Sequence, residues 1–141
     1  MSAPLYNAEI LRLAASTAGF ARLSAPDATI EKRSPVCGSR IIVDVILDDQ
    51  KRLETLGIEV RACALGQAAS ALMAAHAIGL GFDELDAGRA QLSDFLANGA
   101  ESVGTWPGLE IFTPARPHFA RHASIRLAFE AVVEAVELAQ R

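Results

Sequence analysis

Period-two alternation through Ile41, Val43, Val45 and Leu47, an Ala-rich helical stretch after Cys63 and an amphipathic final segment predict an α+β fold. Its form is a small three-stranded antiparallel sheet with helices packed on one face. The 141 residues suit one domain spanning 1–141, because two separate cores would each be of marginal size. A content of 51% hydrophobic and 21% charged residues is that of a globular chain. A formal net charge of −4 speaks against a dedicated nucleic-acid or anionic-membrane binder, since neither steering nor counterion release would help.

The first helix is expected from about Asn7, with Ile10, Leu11, Ala14 and Ala18 on one stripe and Gly19 ending it. Pro26-Asp27 makes a turn into a short mixed segment, Thr29 to Arg33. The clearest strand follows, with Arg40, Asp44 and Asp48 alternating against the apolar positions. Asp48-Asp49-Gln50 turns the chain, and Arg52 to Ala62 returns as a strand. Its alternation changes phase near Gly57, the mark of a bulge. Ala64 to Ile78 then reads as a helix, stopped by Gly79 and Gly81. Residues 62–82 carry no formal charge, which is spanning length, but alanine is too weakly apolar to drive insertion, so a buried helix is expected. Asp83 caps a further helix that stops at Asn98-Gly99. Glu101 to Ala123 is loop-like with three prolines, although Leu109-Glu110-Ile111-Phe112 has the pattern of a short strand. The last helix runs from about Ile125 to Ala139, with Ile125, Phe129, Val132 and Val136 inward.

Two cysteines exclude a disulfide framework. The opening residues lack a basic stretch followed by an unbroken apolar run, so no export signal is expected and the cytoplasm, where thiols stay reduced, is the expected location. A hairpin turning at Asp49-Gln50, with a bulge at Gly57, sets Cys37 and Cys63 as cross-strand neighbours at its open end. Cys37 precedes Gly38 in an accessible turn, and Cys63 opens a helix whose free N–H groups favour a thiolate. Two adjacent thiols suit a soft metal or persulfide chemistry, whereas the plainer role is that of two small core residues. A tetrahedral site needs two further ligands. His122 is the best nitrogen donor on offer, set against the commoner role of a surface histidine. His118 reads as a loop residue, His76 as a satisfied buried histidine and Ser124 as the N-cap of the last helix. Arg121 is placed to steady a thiolate or to stand in solvent. A Cys–His hydrolase built on Cys63 and His122 has no motif behind it.

Three segments carry a family resemblance: Ser34-Pro35-Val36-Cys37-Gly38 before a strand, Gly57-Ile58-Glu59-Val60-Arg61-Ala62-Cys63-Ala64 running into an Ala-rich helix, and Pro117 to Ser124 followed by Leu127-Ala128. With them the chain resembles the iron–sulfur cluster assembly scaffolds of the NifU N-terminal-like, IscU/SufU-like family from Tyr6 through the last helix. The resemblance implies the SufE/NifU-like sandwich and a non-enzymatic role. It further implies a labile [2Fe–2S] cluster or iron, with zinc as an alternative, and two partner classes: a cysteine desulfurase and apo iron–sulfur proteins. The family's first and second cysteines fall on Cys37 and Cys63. Its aspartate falls on Ser39, and aligning Leu127-Ala128 places its third cysteine at Ser124, with His122 two residues earlier as a substitute ligand. The Pro117-x-x-Ala120-Arg121 run is closer to the SufU-like branch, and the Leu-Pro-Pro-Val-Lys stretch of another branch is absent. The expected function is a scaffold or carrier on Cys37 and Cys63. Alternatives are a persulfide acceptor using Cys63, with Cys37 resolving, and a partner protein without metal chemistry.

Overall fold

The computed structural model describes residues 5–35, 38–97 and 104–141. Helix α1 (Ala8–Ala15) starts where the Asn7 side chain accepts the Ile10 N–H at 2.9 Å, and a 3-10 turn, Ser16–Gly19, continues it. Strands β1 (Ala28–Arg33), β2 (Arg40–Leu47) and β3 (Leu53–Arg61) form an antiparallel sheet in the order β1-β2-β3. Helices α2 (Ala64–Ala77), α3 (Phe82–Leu96) and α4 (His122–Ala139) follow, with 3-10 turns at Leu109–Ala115 and Phe119–Arg121 ahead of α4. Helix α4 lies across β1 and β2, α2 and α3 pack on α4, and α1 packs on α2. Ile41, Val43 and Val45 fill the sheet side of the core against Ile125, Phe129, Val132 and Val136. Helix α2 is buried nearly all round. Its small residues Gly66, Ala68, Ala69 and Ser70 let three neighbours approach closely, which is why its sequence lacks a polar stripe.

The hairpin differs in register from the expectation. Leu47 faces Leu53, but Ile46 faces Thr55, so the extra residue is Glu54 and not Gly57. The turn is also longer: the Asp48 carboxylate accepts the Gln50 and Arg52 N–H groups, and Lys51 takes the left-handed conformation at φ 63°. From there the ladder runs without interruption to Arg40 opposite Arg61. Gly57 serves a different purpose. A Cβ there would stand 2.8 Å from both Leu23 Cγ and the Leu23 backbone nitrogen, because residues 21–23 cross the sheet at this point. The Ile58 N–H donates to the Ala21 carbonyl at 3.0 Å, so the glycine marks a close backbone approach.

That crossing is pinned by Asp44, fully buried on the outer face of β2. Its carboxylate accepts from Arg22 Nε at 2.6 Å and Nη2 at 3.1 Å, from the Leu23 N–H at 3.0 Å and from the Thr29 hydroxyl at 2.6 Å. Alternation alone placed Asp44 toward solvent; the returning segment covers it and supplies the cation.

Three further expectations are corrected. Leu109 to Phe112 is not a strand: Leu109, Phe112 and Ala115 are buried at a spacing of three, the period of a 3-10 helix, after Gly108 turns the chain at φ 87°. Helix α3 is capped at Gly81, whose N–H donates to Glu84 at 3.2 Å, so Asp83 sits in the first turn; the Asn98-Gly99 stop lies outside the described residues. His76 is exposed, not buried, and sits edge-on to Trp106 with ring centroids 6.4 Å apart. Trp106 itself is buried, packs edge-on against Phe129 at 5.0 Å, and donates its indole N–H to the Leu72 carbonyl at 3.2 Å. A Cβ on Gly88 would lie 2.6 Å from its ring.

Candidate functional site

Three chain segments converge where the sheet gives way to α2. Strand β3 ends at Arg61, and Cys63 becomes the N-terminal flanking residue of α2, extended at φ −65° and ψ 170°. The loop from β1 to β2 closes on itself: the Ser34 N–H donates to the Ser39 carbonyl at 2.8 Å, and the Gly38 N–H to the Ser34 carbonyl at 3.0 Å. Gly38 has φ +72° with open space around its missing Cβ, so conformation and not crowding calls for glycine there. Helix α4 supplies the third segment. The 3-10 turn Phe119–Arg121 flows straight into it, so α4 starts at His122, and Ser124 is not an N-cap but its third residue.

Helical placement turns the Ser124 hydroxyl inward. Its Oγ lies 3.1 Å from Ser39 Oγ and 3.4 Å from Cys63 Sγ, a continuous hydrogen-bonded chain of three side chains. Ser124 is 1% and Ser39 3% exposed, while Cys63 is half-buried at the outer end of the chain. Gly66 forms the floor; a Cβ there would come within 2.6 Å of Ser124 Oγ and 2.7 Å of the Ala62 methyl. The space around the two hydroxyls is therefore closely packed, and Cys63 is the only one of the three residues that is not buried.

His122 is buried, not a surface histidine, and its Nε2 lies 2.9 Å from the Ala115 carbonyl. A carbonyl only accepts, so Nε2 carries the proton and is committed to the 3-10 turn before α4. The Phe119 ring stands edge-on to it at 5.5 Å. His118 is exposed and Arg121 half-buried. Cys37 lies outside the described residues, as does the cross-strand pairing expected for it. Among the described residues the ladder ends at Arg40 opposite Arg61.

The donor set can be compared with a metal site. A tetrahedral centre with bonds of about 2.0–2.3 Å has ligand–ligand edges of about 3.3–3.8 Å. The Cys63–Ser124 contact falls on that scale and the Ser39–Ser124 contact slightly below it. Hydroxyls are poor donors to a soft ion, however, and no group of three His, Cys, Asp or Glu side chains is placed to hold a metal among the described residues. What the described atoms make is one sulfur with a hydrogen-bonded backing. Composition and periodicity give no sign of the serine pair, but the family resemblance set Ser39 and Ser124 at two positions of one site, and the fold brings their side chains into contact.

The chain is 34% identical to a nitrogen-fixing NifU-like protein (N-terminal) from Brucella abortus, with 96% of this chain and 94% of that one superposed at a TM-score of 0.87. A protein assigned as an iron–sulfur cluster assembly scaffold for the SUF system in the thermophile Fervidobacterium islandicum AW-1 shares the fold. Its TM-score is 0.81 at 16% identity, over 94% of this chain and 96% of that one. No protein-family model and no curated protein matches the chain. No helix among the described residues is long and apolar enough to cross a membrane.

Proposed function

The chain belongs to the NifU/IscU-like family, and on that premise we propose that it is an iron–sulfur cluster assembly scaffold or carrier working through Cys37 and Cys63. The observation that carries the reading is the contact of Cys63 Sγ with Ser124 at the point where the 34–39 loop, which bears Cys37, closes. Its cargo is iron, a [2Fe–2S] unit or zinc. Two thiolates hold such a cargo weakly, which favours hand-over by ligand exchange to apo iron–sulfur proteins. Ser124 hydrogen-bonds the sulfur and Ser39 hydrogen-bonds Ser124, an arrangement that leaves coordination positions for the recipient or donor to fill. His122 donates its Nε2 proton to the Ala115 carbonyl, which leaves Nδ1 as the one ring nitrogen able to serve as a ligand. No catalytic turnover is assigned, and the cytoplasm is the proposed location.

The half-buried position of Cys63 at the start of α2 favours a second reading, sulfur acceptance. The Cys63 thiolate attacks the terminal sulfur of a cysteine desulfurase persulfide; a new S–S bond forms, the donor's S–S bond breaks, and the donor cysteine leaves as thiolate.

Anaerobic titration of the reduced chain with ferrous iron plus sulfide, and separately with zinc, tests the first reading. A visible chromophore lost in both Cys37→Ser and Cys63→Ser is the expected result. Metal retention no greater than in the double variant overturns it; a one-sulfur mass gain on Cys63 after exposure to a desulfurase and cysteine then establishes the second.

A further inference from the structure

All three strands end on an arginine at the Cys63 end of the sheet. Arg33 faces Arg40, and Arg40 faces Arg61. Directly opposed residues share a face, so the three side chains leave the outer face of the sheet in a single row. A strand spacing of about 4.8 Å sets the outer two about 10 Å apart. No other directly opposed pair in the sheet joins like charges. Like charges opposed across strands repel, and at Arg40 the carboxylates of the neighbouring row offset that repulsion.

The next row on the same face holds Glu31 and Glu59. Arg40 is tied to both, Nε donating to Glu31 and Nη1 to Glu59 at 3.4 Å. Arg33 reaches Glu31 at 3.2 Å with its side chain 71% exposed, an ion pair of little strength in water. Arg61 is exposed and makes no ion pair among the described residues. The middle arginine is thus committed to the sheet, and the outer two face solvent. The sequence around the site keeps acid away: residues 37–41, 61–65 and 122–126 contain Arg40, Arg61 and Arg126 but no Asp or Glu, in a chain of net charge −4.

We propose that this arginine row is a docking surface for an acidic protein partner, whose carboxylates pair with Arg33 and Arg61 at the end of the sheet from which β3 leads to Cys63. Guanidinium groups take carboxylates in a two-pronged geometry, which fixes orientation as well as attraction. A nucleic acid suits the surface less well. The row is one residue deep, and the carboxylates of Glu31 and Glu59 behind it oppose a continuous phosphate chain. Exposed pairs of this kind steer and align a partner more than they hold it, and salt screens them. The inference does not depend on what Cys63 carries.

A dye-labelled decaglutamate peptide, followed by fluorescence anisotropy with the full chain, serves as the probe. Binding is expected at low ionic strength, falling about ten-fold in Arg33→Glu/Arg61→Glu and less in Arg33→Gln/Arg61→Gln. Circular dichroism confirms that both keep the fold. The distant double variant Arg12→Glu/Lys51→Glu, of the same net charge, is expected to bind within about two-fold of the parent. Cys63→Ser is expected to bind as the parent does, which separates this inference from the metal or sulfur chemistry. An equal loss in the distant variant, no binding by the parent, or tighter binding of a ten-residue oligothymidylate than of the peptide overturns it.

Discussion

Asp44 in the middle of β2 and Ser124 near the start of α4 are both polar and fully enclosed, yet they solve the problem of burial in opposite ways. Asp44 is charged and answered by every means available: a guanidinium in two contacts, a backbone N–H and a hydroxyl. Ser124 is neutral, and its two neighbours are another hydroxyl and a thiol. The first arrangement is closed, since each acceptor has a strong donor, and its effect is to fasten residues 22–23 across the sheet. The second is open at one end, because the last member of its chain is the half-buried sulfur of Cys63. Buried charge is used here to hold the fold, and the buried hydroxyls form a chain that ends on a half-buried thiol.

That contrast should break most visibly at Asp44. Asp44→Ala leaves Arg22, Thr29 and the Leu23 N–H without their acceptor and is expected to cost about 3 kcal/mol, read as a lower urea midpoint at unchanged slope. The alkylation rate of Cys63 in the folded variant should stay at the parent value. The opposite experiment acts on the site alone. Ser124→Cys with Ser39→Asp puts a thiolate and a carboxylate where the contacts are 3.4 and 3.1 Å, and zinc affinity is expected to rise about 100-fold in competition with a chromophoric chelator. Gly66→Ala pushes a methyl into the same floor and is expected to cost about 2 kcal/mol by overpacking, with a changed Cys63 alkylation rate as its local sign.

The smallest effect is in acid. Burial by itself pushes the Asp44 carboxyl up, but Arg22, Thr29 and the Leu23 N–H together outweigh it and hold the group below its ordinary 3.8. A carboxyl held low in the folded state contributes stability that is present above the unfolded value and lost as pH falls through the folded one. Stability should therefore decline below about pH 4, and less steeply in Asp44→Asn. Glu31, held low by its hydrogen bond from Arg40, keeps some of the slope in that variant. Unfolding midpoints measured from pH 6 to acid in both chains check the difference.

The sheet, its antiparallel order and the helices α1, α2 and α4 were legible because each rests on a periodic pattern within one segment. What was not legible depended on segments meeting. The phase change at Gly57 is real in the sequence, but it records Leu23 passing overhead, and the true extra residue, Glu54, gives no sign of itself. Asp44 reads as a solvent position until Arg22 arrives from outside the strand. Leu109-Glu110-Ile111-Phe112 fits alternation as well as it fits a spacing of three, and only burial of Ala115 distinguishes them. The place of Cys63 ahead of a helix was legible, since the period of three to four begins at Ala64. The role of Ser124 turned on where α4 starts, and a 3-10 turn feeding a helix has no capping residue to announce it. The arginine row is likewise invisible until the register aligns Arg33, Arg40 and Arg61.

Trp106 provides the chain with a built-in optical gauge. It is the sole tryptophan, and its indole N–H grips the Leu72 carbonyl, nine residues along α2 from Cys63 and so about 14 Å down the helix axis. A rigid rod loaded at one end shifts at the other. Emission from this one indole reports, without any label, whether α2 moves when iron, zinc or sulfur is offered to the chain, and a spectral change that Cys63→Ser abolishes would show that the helix carries a signal from its first turn to its middle.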